Sequence, residues 1–162
     1  MRRINLRIGH GIDFHRLTHN RKLILGGTYI PYEFGLDGHS DADVLVHAIC
    51  DSILGAASKR DIGYHFSDNN PEYKDISSLI LLKKCIDIIR PYEVVNIDAT
   101  IIAQKPKLLP YIEQMQKCIA ECIGTDTDNV NIKATTTEGM GYCGTGEGIE
   151  AHAVCLIKRK EI

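Results

Sequence analysis

Hydrophobic and polar positions alternate cleanly in two late stretches of the chain. In EVVNIDATIIAQ, residues 93–104, Val95, Ile97, Ala99 and Ile101 fall on one side and Asn96, Asp98 and Thr100 on the other. NVNIKATT, residues 129–136, repeats the pattern, with Val130, Ile132 and Ala134 set against Asn131, Lys133 and Thr135. Side chains of a strand point alternately to opposite faces, so both stretches are predicted strands of a sheet with one apolar, helix-covered face and one more polar face. That polar face either meets water or packs against copies of itself.

The rest of the pattern fills in an α+β chain. INLRIGHGIDFHRL (4–17) reads as an apolar strand, and KLILGG (22–27) with TYIPY (28–32) as two short strands around a Gly-Gly turn. SDADVLVHAICDSILGAAS (40–58) reads as a helix, with Ser40 as N-cap and Asp43 in capping-box spacing. After the loop RDIGYHFSDNNPEYKD come a helix over 76–90, the strand 93–104, a helix over 111–124, and the strands 129–136 and 149–159. The expectation is a two-layer sandwich: a mixed β-sheet, with one βαβ crossover, carrying helices on one face.

Composition narrows the class. The chain has 162 residues, 44% hydrophobic and 25% charged, and no linker or repeat, which predicts a single domain over residues 1–162. A net charge of -2 without a basic stripe argues against nucleic acid as a partner. Six cysteines without a CxxC pair fit free thiols in a reducing compartment, and the apolar runs are too short to span a bilayer. The first motif starts close to Met1, so no signal or transit peptide is expected. The expectation is a soluble cytoplasmic protein with no membrane partner.

The candidate chemistry starts where the first strand carries an acid and an imidazole. Asp13 and His15 are two apart and share a face, which suits two ligands of one metal ion, although an isolated pair of this kind is more often a carboxylate hydrogen-bonded to its neighbour. In the first helix the row Val44, His47, Asp51, Leu54 is mostly inward-facing, so His47 is a candidate third ligand, and His39 is another. Two histidines and a carboxylate with an open fourth position make a catalytic zinc set.

A second stretch, KATTTEGMGYCGTGEGIE (133–150), ends a strand in three hydroxyls and an acid and then holds five glycines from Gly139 to Gly148. Gly139, Gly141 and Gly144 match GxGxxG, but the segment runs from strand to strand rather than into a helix, so a dinucleotide site is rejected. Hydroxyls beside an acid and exposed amides can hold a phosphate with its Mg²⁺, and an ordinary hairpin loop reads the same way. AQKPKLLP (103–110) is either a rigid loop that clasps a flat base, with Lys107 reaching a phosphate, or a solvated turn.

Taken together, IGHGIDFHRL, GHSDADVLVHAICDSILGAA, RDIGYHF, IIAQKPKLLP and IKATTTEGMGYCGTGEGIEAHAVCLI resemble, in order and spacing, the signature segments of the 2-C-methyl-D-erythritol 2,4-cyclodiphosphate synthase family of the non-mevalonate isoprenoid pathway. The resemblance spans nearly the whole chain. It implies a homotrimer with three active sites at subunit boundaries. It also implies a phosphorus-oxygen lyase that turns a cytidine diphosphate-linked substrate, 4-diphosphocytidyl-2-C-methyl-D-erythritol 2-phosphate, into the cyclic diphosphate and CMP.

Residue by residue, the resemblance implies Asp13, His15 and His47 as ligands of Zn²⁺ or another divalent transition metal, and Glu138 as the ligand of Mg²⁺ or Mn²⁺. His39 and Ser40 then meet a substrate phosphate. Asp61, Ile62 and Gly63, with Phe66, Ser67 and Asp68, surround the sugar-like portion. Ala103, Pro106, Lys107, Leu108 and Leu109 surround cytosine. Thr135, Thr136 and Thr137 meet the diphosphate, Tyr142 is a further substrate contact, and His39 and Thr136 neutralise developing charge. Two positions depart from the family: Gly139 stands where a lysine is common, beside Glu138, where cyclisation is expected to survive the change, and Thr145 stands where an arginine is common, which implies a weaker anion site in the trimer's central cavity. Two other classes stay open: a zinc hydrolase that uses Asp13, His15 and His47 to activate water with Asp61 or Glu138 as general base, and a non-catalytic trimeric binder of prenyl phosphates that needs no zinc.

Overall fold

The structure, a computed structural model, describes residues 5–67 and 69–160. Strand β1 (Leu6–Thr18) is followed by β2 (Leu23–Leu25), β3 (Thr28–Ile30), β4 (Gly35–Leu36) and helix α1 (Val44–Ala56). Then come α2 (Ile62–His65), α3 (Ser78–Ile88), β5 (Tyr92–Ile102), α4 (Ile112–Ile123), β6 (Val130–Thr135), α5 (Gly141–Gly144) and β7 (Gly148–Arg159). The main sheet has the order β4-β1-β7-β5-β6. β5 and β6 are parallel and joined through α4, the expected crossover, whereas β1 with β7 and β7 with β5 are antiparallel. The sheet is mixed as expected, and the short elements β4, α2 and α5 had no periodic signal to announce them.

Alternation decides the core. Gly9 and Gly11 of β1, Ile97, Ala99 and Ile101 of β5, Val130 and Ile132 of β6, and Ile149, Ala151, Ala153, Cys155 and Ile157 of β7 are buried on one face. That face packs against α1 and α4, with α3 wedged against both. Two positions depart from the predicted alternation. The pairing of β5 with β7 shifts between Val94 and Asn96, so Val95 sits in a bulge and is only half-buried. Ala134, close to the end of β6, is exposed.

The outer face is polar on β5 and β6, where Asp98 accepts from Lys133 Nζ at 2.6 Å and Asn131 Nδ2 at 2.7 Å. On β1 it is apolar. Ile8 is 73% and Phe14 64% exposed, with Leu6, Ile12 and the β7 residue Val154 also open.

α1 is capped by Asp43 rather than Ser40, because only Asp43 stands one residue before the first helical turn. Its fully buried carboxylate accepts from Val46 N at 3.1 Å, Gly26 N at 2.9 Å and Gly27 N at 2.7 Å. It thereby ties the predicted Gly-Gly turn of β2 and β3, where both glycines have positive φ, to the start of the helix. Burial and the nearby Asp41 charge raise the Asp43 carboxyl to about 6 against those three N–H groups. All six thiols are unpaired.

Candidate metal centre and substrate-binding segments

β1 meets α1 at van der Waals limits because it has glycine where the helix crosses. A Cβ on Gly9 would stand 1.8 Å from the Ser52 carbonyl oxygen, and one on Gly11 2.0 Å from that of Ala48. The next inward positions along the strand are Asp13 and His15, and His47, one turn into α1, faces them. His15 Nε2 lies 2.9 Å and His47 Nδ1 3.0 Å from Asp13 Oδ2, and the two ring nitrogens are 3.2 Å apart. Metal–nitrogen and metal–oxygen bonds of about 2.0–2.1 Å in a tetrahedron require donors about 3.3 Å apart, so these three atoms already mark three corners of a zinc-sized site.

Of the alternatives left open at Asp13 and His15, the hydrogen bond is present, and the same pair is two thirds of a candidate donor set. Among the described residues this is the one cluster of at least three such donors. Burial alone would raise the Asp13 carboxyl, but the hydrogen bonds and charge of His15 and His47 outweigh it and hold it down to about 2. Burial likewise works against a charged His47, yet Asp13 raises its pKa. The Asp13 carboxylate is thus held charged between the two imidazoles.

His47 is also held from behind. Its Nε2 lies 2.9 Å from Ser78 Oγ, at the start of α3, and 3.1 Å from Ser40 Oγ. Ser78 Oγ donates a short hydrogen bond to Asp41 Oδ1, and Ser78 N donates to Asp41 Oδ2 at 3.0 Å. Ser40, expected at a substrate phosphate, is buried, and its Oγ accepts from Ala42 N at 3.1 Å. His39 is half-buried, with Nε2 donating to the Asn70 carbonyl at 3.2 Å.

The loop after α1 is moored beside this centre. Asp51, in the predicted inward row with His47, accepts from Ile62 N at 2.7 Å, and Asp61 caps α2 by accepting from Tyr64 N at 2.8 Å. Phe66 is buried edge-on against Tyr73, with ring centroids 5.4 Å apart, whereas Gly63 and Ser67 are exposed. Asp68 lies outside the described residues.

Tyr142 apart, the remaining predicted residues gather at the β6 edge of the sheet. Ala103 N donates to the Thr135 carbonyl at 3.0 Å, and Gly139 N to Gln104 Oε1 at 3.4 Å, which joins the 103–109 and 135–139 segments. Thr136 Oγ1 donates to Glu138 Oε1 at 3.0 Å. Leu108 is buried and anchors its loop, Pro106 is half-buried, and Lys107 and Leu109 project outward. Thr137 donates to the Met140 carbonyl.

The ends of β1, β5 and β6 share one end of the sheet, but three strand spacings, about 14 Å, separate β1 from β6. One chain therefore does not bring the triad and the Thr136–Glu138 pair together. The glycine-rich segment is no hairpin, since β7 neighbours β5 rather than β6, and its centre is the single turn α5. Tyr142 donates from this turn to Glu150 on the outer face, beside Phe14. Thr145 Oγ1 donates to Glu147 Oε1 at 2.7 Å.

A family model described as the YgbB family matches residues 6–158. A Clostridium novyi protein is 58% identical over 157 residues, covering 96% of this chain and 100% of the relative, and one from Bacteroides fragilis is 55% identical over 158 residues, covering 96% and 99%. Both are named 2-C-methyl-D-erythritol 2,4-cyclodiphosphate synthase. The chain belongs to this family.

Solved structures agree with the placement in the cyclodiphosphate synthase family. The bifunctional IspDF of Campylobacter jejuni superposes with a TM-score of 0.94 at 39% identity over 98% of this chain, which spans only 43% of that longer protein. The CDP complex of Plasmodium falciparum IspF superposes with a TM-score of 0.84 at 33% identity, covering 97% of this chain and 98% of that one.

Sequence reasoning named the triad but missed Asp41 and Ser78. The signal for Asp41 was visible, an acid in the SDAD stretch before a helix. Ser78 was visible only as one of two serines at a helix start.

Proposed function

We infer that this chain converts 4-diphosphocytidyl-2-C-methyl-D-erythritol 2-phosphate into 2-C-methyl-D-erythritol 2,4-cyclodiphosphate with release of CMP, a phosphorus-oxygen lyase step of the non-mevalonate isoprenoid pathway. The observation that carries the reading is the convergence of Asp13, His15 and His47 on three corners of a tetrahedron in a chain of this family. The relative solved with CDP supports a cytidine-linked substrate.

In this reaction an oxygen of the 2-phosphate attacks the β-phosphorus, the bond from that phosphorus to the bridging oxygen breaks, and CMP leaves with the electron pair. Both reacting groups belong to one molecule, so the protein's main task is to hold it curled. Good intramolecular alignment is worth ~7 to 11 kcal/mol. Zn²⁺ or another divalent transition metal at the triad, and Mg²⁺ or Mn²⁺ at Glu138, would supply polarisation and neutralisation of phosphate oxygens. His39 and Thr136 would donate to oxygens that gain charge as the P–O bond breaks. Asp61, Ile62 and Gly63, with Phe66, Ser67 and Asp68, would border the erythritol portion. Ala103 and Pro106 to Leu109 would border cytosine, with Lys107 free to turn to a phosphate. Thr135 and Thr137 would flank the diphosphate, and Ser40 would reach a phosphate only after turning away from Ala42. Tyr142 would contact substrate only from the outer face.

The assembly we propose is a homotrimer, working in the cytoplasm. Two features support it. The outer face of β1 exposes an apolar row that a copy would cover. The triad and the nucleotide-facing segments lie at opposite edges of one sheet, so a neighbouring copy would complete each site.

The test is product analysis with Mg²⁺ present. Cyclisation gives CMP and the cyclic diphosphate in equal amounts, and His47→Ala abolishes both. A linear phosphate in place of the cyclic product would establish the zinc hydrolase instead.

A further inference from the structure

The triad has a support that its own donor atoms do not explain. His47 can bind a cation through Nδ1 only if its ring stays turned so that Nδ1 faces Asp13 and its remaining proton stays on Nε2. Behind the ring, Ser78 Oγ stands 2.9 Å from Nε2, and that hydroxyl's own hydrogen is committed to Asp41 Oδ1. A hydroxyl that donates to a carboxylate has its lone pairs left for accepting, so Ser78 meets His47 as an acceptor. Asp41 is fixed in turn by Ser78 N at 3.0 Å and Asp43 N at 3.3 Å. Ser78 is fully buried.

We propose that Asp41 and Ser78 are positioning residues for metal binding: together they hold His47 with Nε2 protonated and Nδ1 presented to the ion. This rests on the metal-dependent reading of the site given above. Capping the start of α3 alone would need only the Ser78 N to Asp41 bond and would leave the hydroxyl without a task.

The measurement is Zn²⁺ affinity of the metal-free full chain, by competition with a chromophoric chelator, together with the visible spectrum of the Co²⁺-loaded protein. Ser40 Oγ, 3.1 Å from Nε2, can stand in as acceptor, so Ser78→Ala is paired with Ser40→Ala/Ser78→Ala. Loss of a partner behind a metal-binding histidine costs roughly 10 to 100-fold in affinity. The double variant and Asp41→Asn should show that loss with an altered Co²⁺ spectrum, and Ser78→Thr, which keeps the hydroxyl, should regain most of the affinity. Wild-type affinity in the double variant overturns the proposal. So does an equal loss in Ser78→Ala and Ser78→Thr, which would make packing the cause. A wild type without Zn²⁺ affinity is a different result and removes the metal-dependent reading itself.

Discussion

Gly11 and Ala48 touch so closely that no side chain fits between them: a Cβ on Gly11 would stand 2.0 Å from the Ala48 carbonyl oxygen. This contact sets the distance from β1 to α1, and hence from Asp13 and His15 to His47. Gly11→Ala must push backbone from backbone, at a cost of roughly 3 kcal/mol. It should also weaken Zn²⁺ binding by spreading the triad. Gly55→Ala, in the same helix with open space around it, should instead stabilise by about 0.5–1 kcal/mol. Urea unfolding of the metal-free variants checks both signs, and two neutral substitutions would show that the contact does not set the spacing.

Asp43 links pH to stability in a direction unusual for a carboxylate. Its folded pKa, about 6, lies above the ordinary 3.8. The folded state therefore favours the protonated form, and the contribution is fully present below pH 3.8 and is lost as pH rises through 6. A rise from 3.8 to about 6 corresponds to a change on the order of 3 kcal/mol. The stability difference between the metal-free parent and Asp43→Asn should shrink between pH 4 and pH 7. A difference that grows with pH would mean that the three N–H groups outweigh burial.

Much of this fold was legible because alternation and helical period leave direct marks. The hairpin at Gly26 and Gly27, the crossover through α4 and the inward row of β5 all follow from local chemistry. The misses share a different cause. Val95 leaves the inner face because of a bulge, which depends on pairing with β7 rather than on the β5 sequence. Ser40 lost the cap to Asp43, whose carboxylate is claimed by a turn 16 residues upstream. The apolar outer row of β1 was hidden because the inward positions facing α1 are Gly9 and Gly11, so the apolar side chains flanking them point away from the helices. Asp13, His15 and His47 were visible as residue types, but only the close packing of Gly9 and Gly11 against α1 brings His47 to the strand.

If each site is built by two copies, inactive subunits should rescue one another. His47→Ala removes a triad ligand, and Thr136→Ala alters the far edge of the sheet. Neither variant alone should release CMP. Unfolded together and refolded, they should recover a substantial fraction of parental activity, because mixed trimers contain boundaries with both edges intact. A mixture as inactive as its parents would place the whole site within one chain.

The central claim is that the substrate's own phosphate, and not water, attacks the β-phosphorus. Turnover in ¹⁸O-labelled water, followed by mass spectrometry of both products, addresses this directly. Cyclisation predicts that neither CMP nor the 2,4-cyclodiphosphate carries any label from solvent. Labelled CMP, or a labelled linear phosphate, would contradict the account.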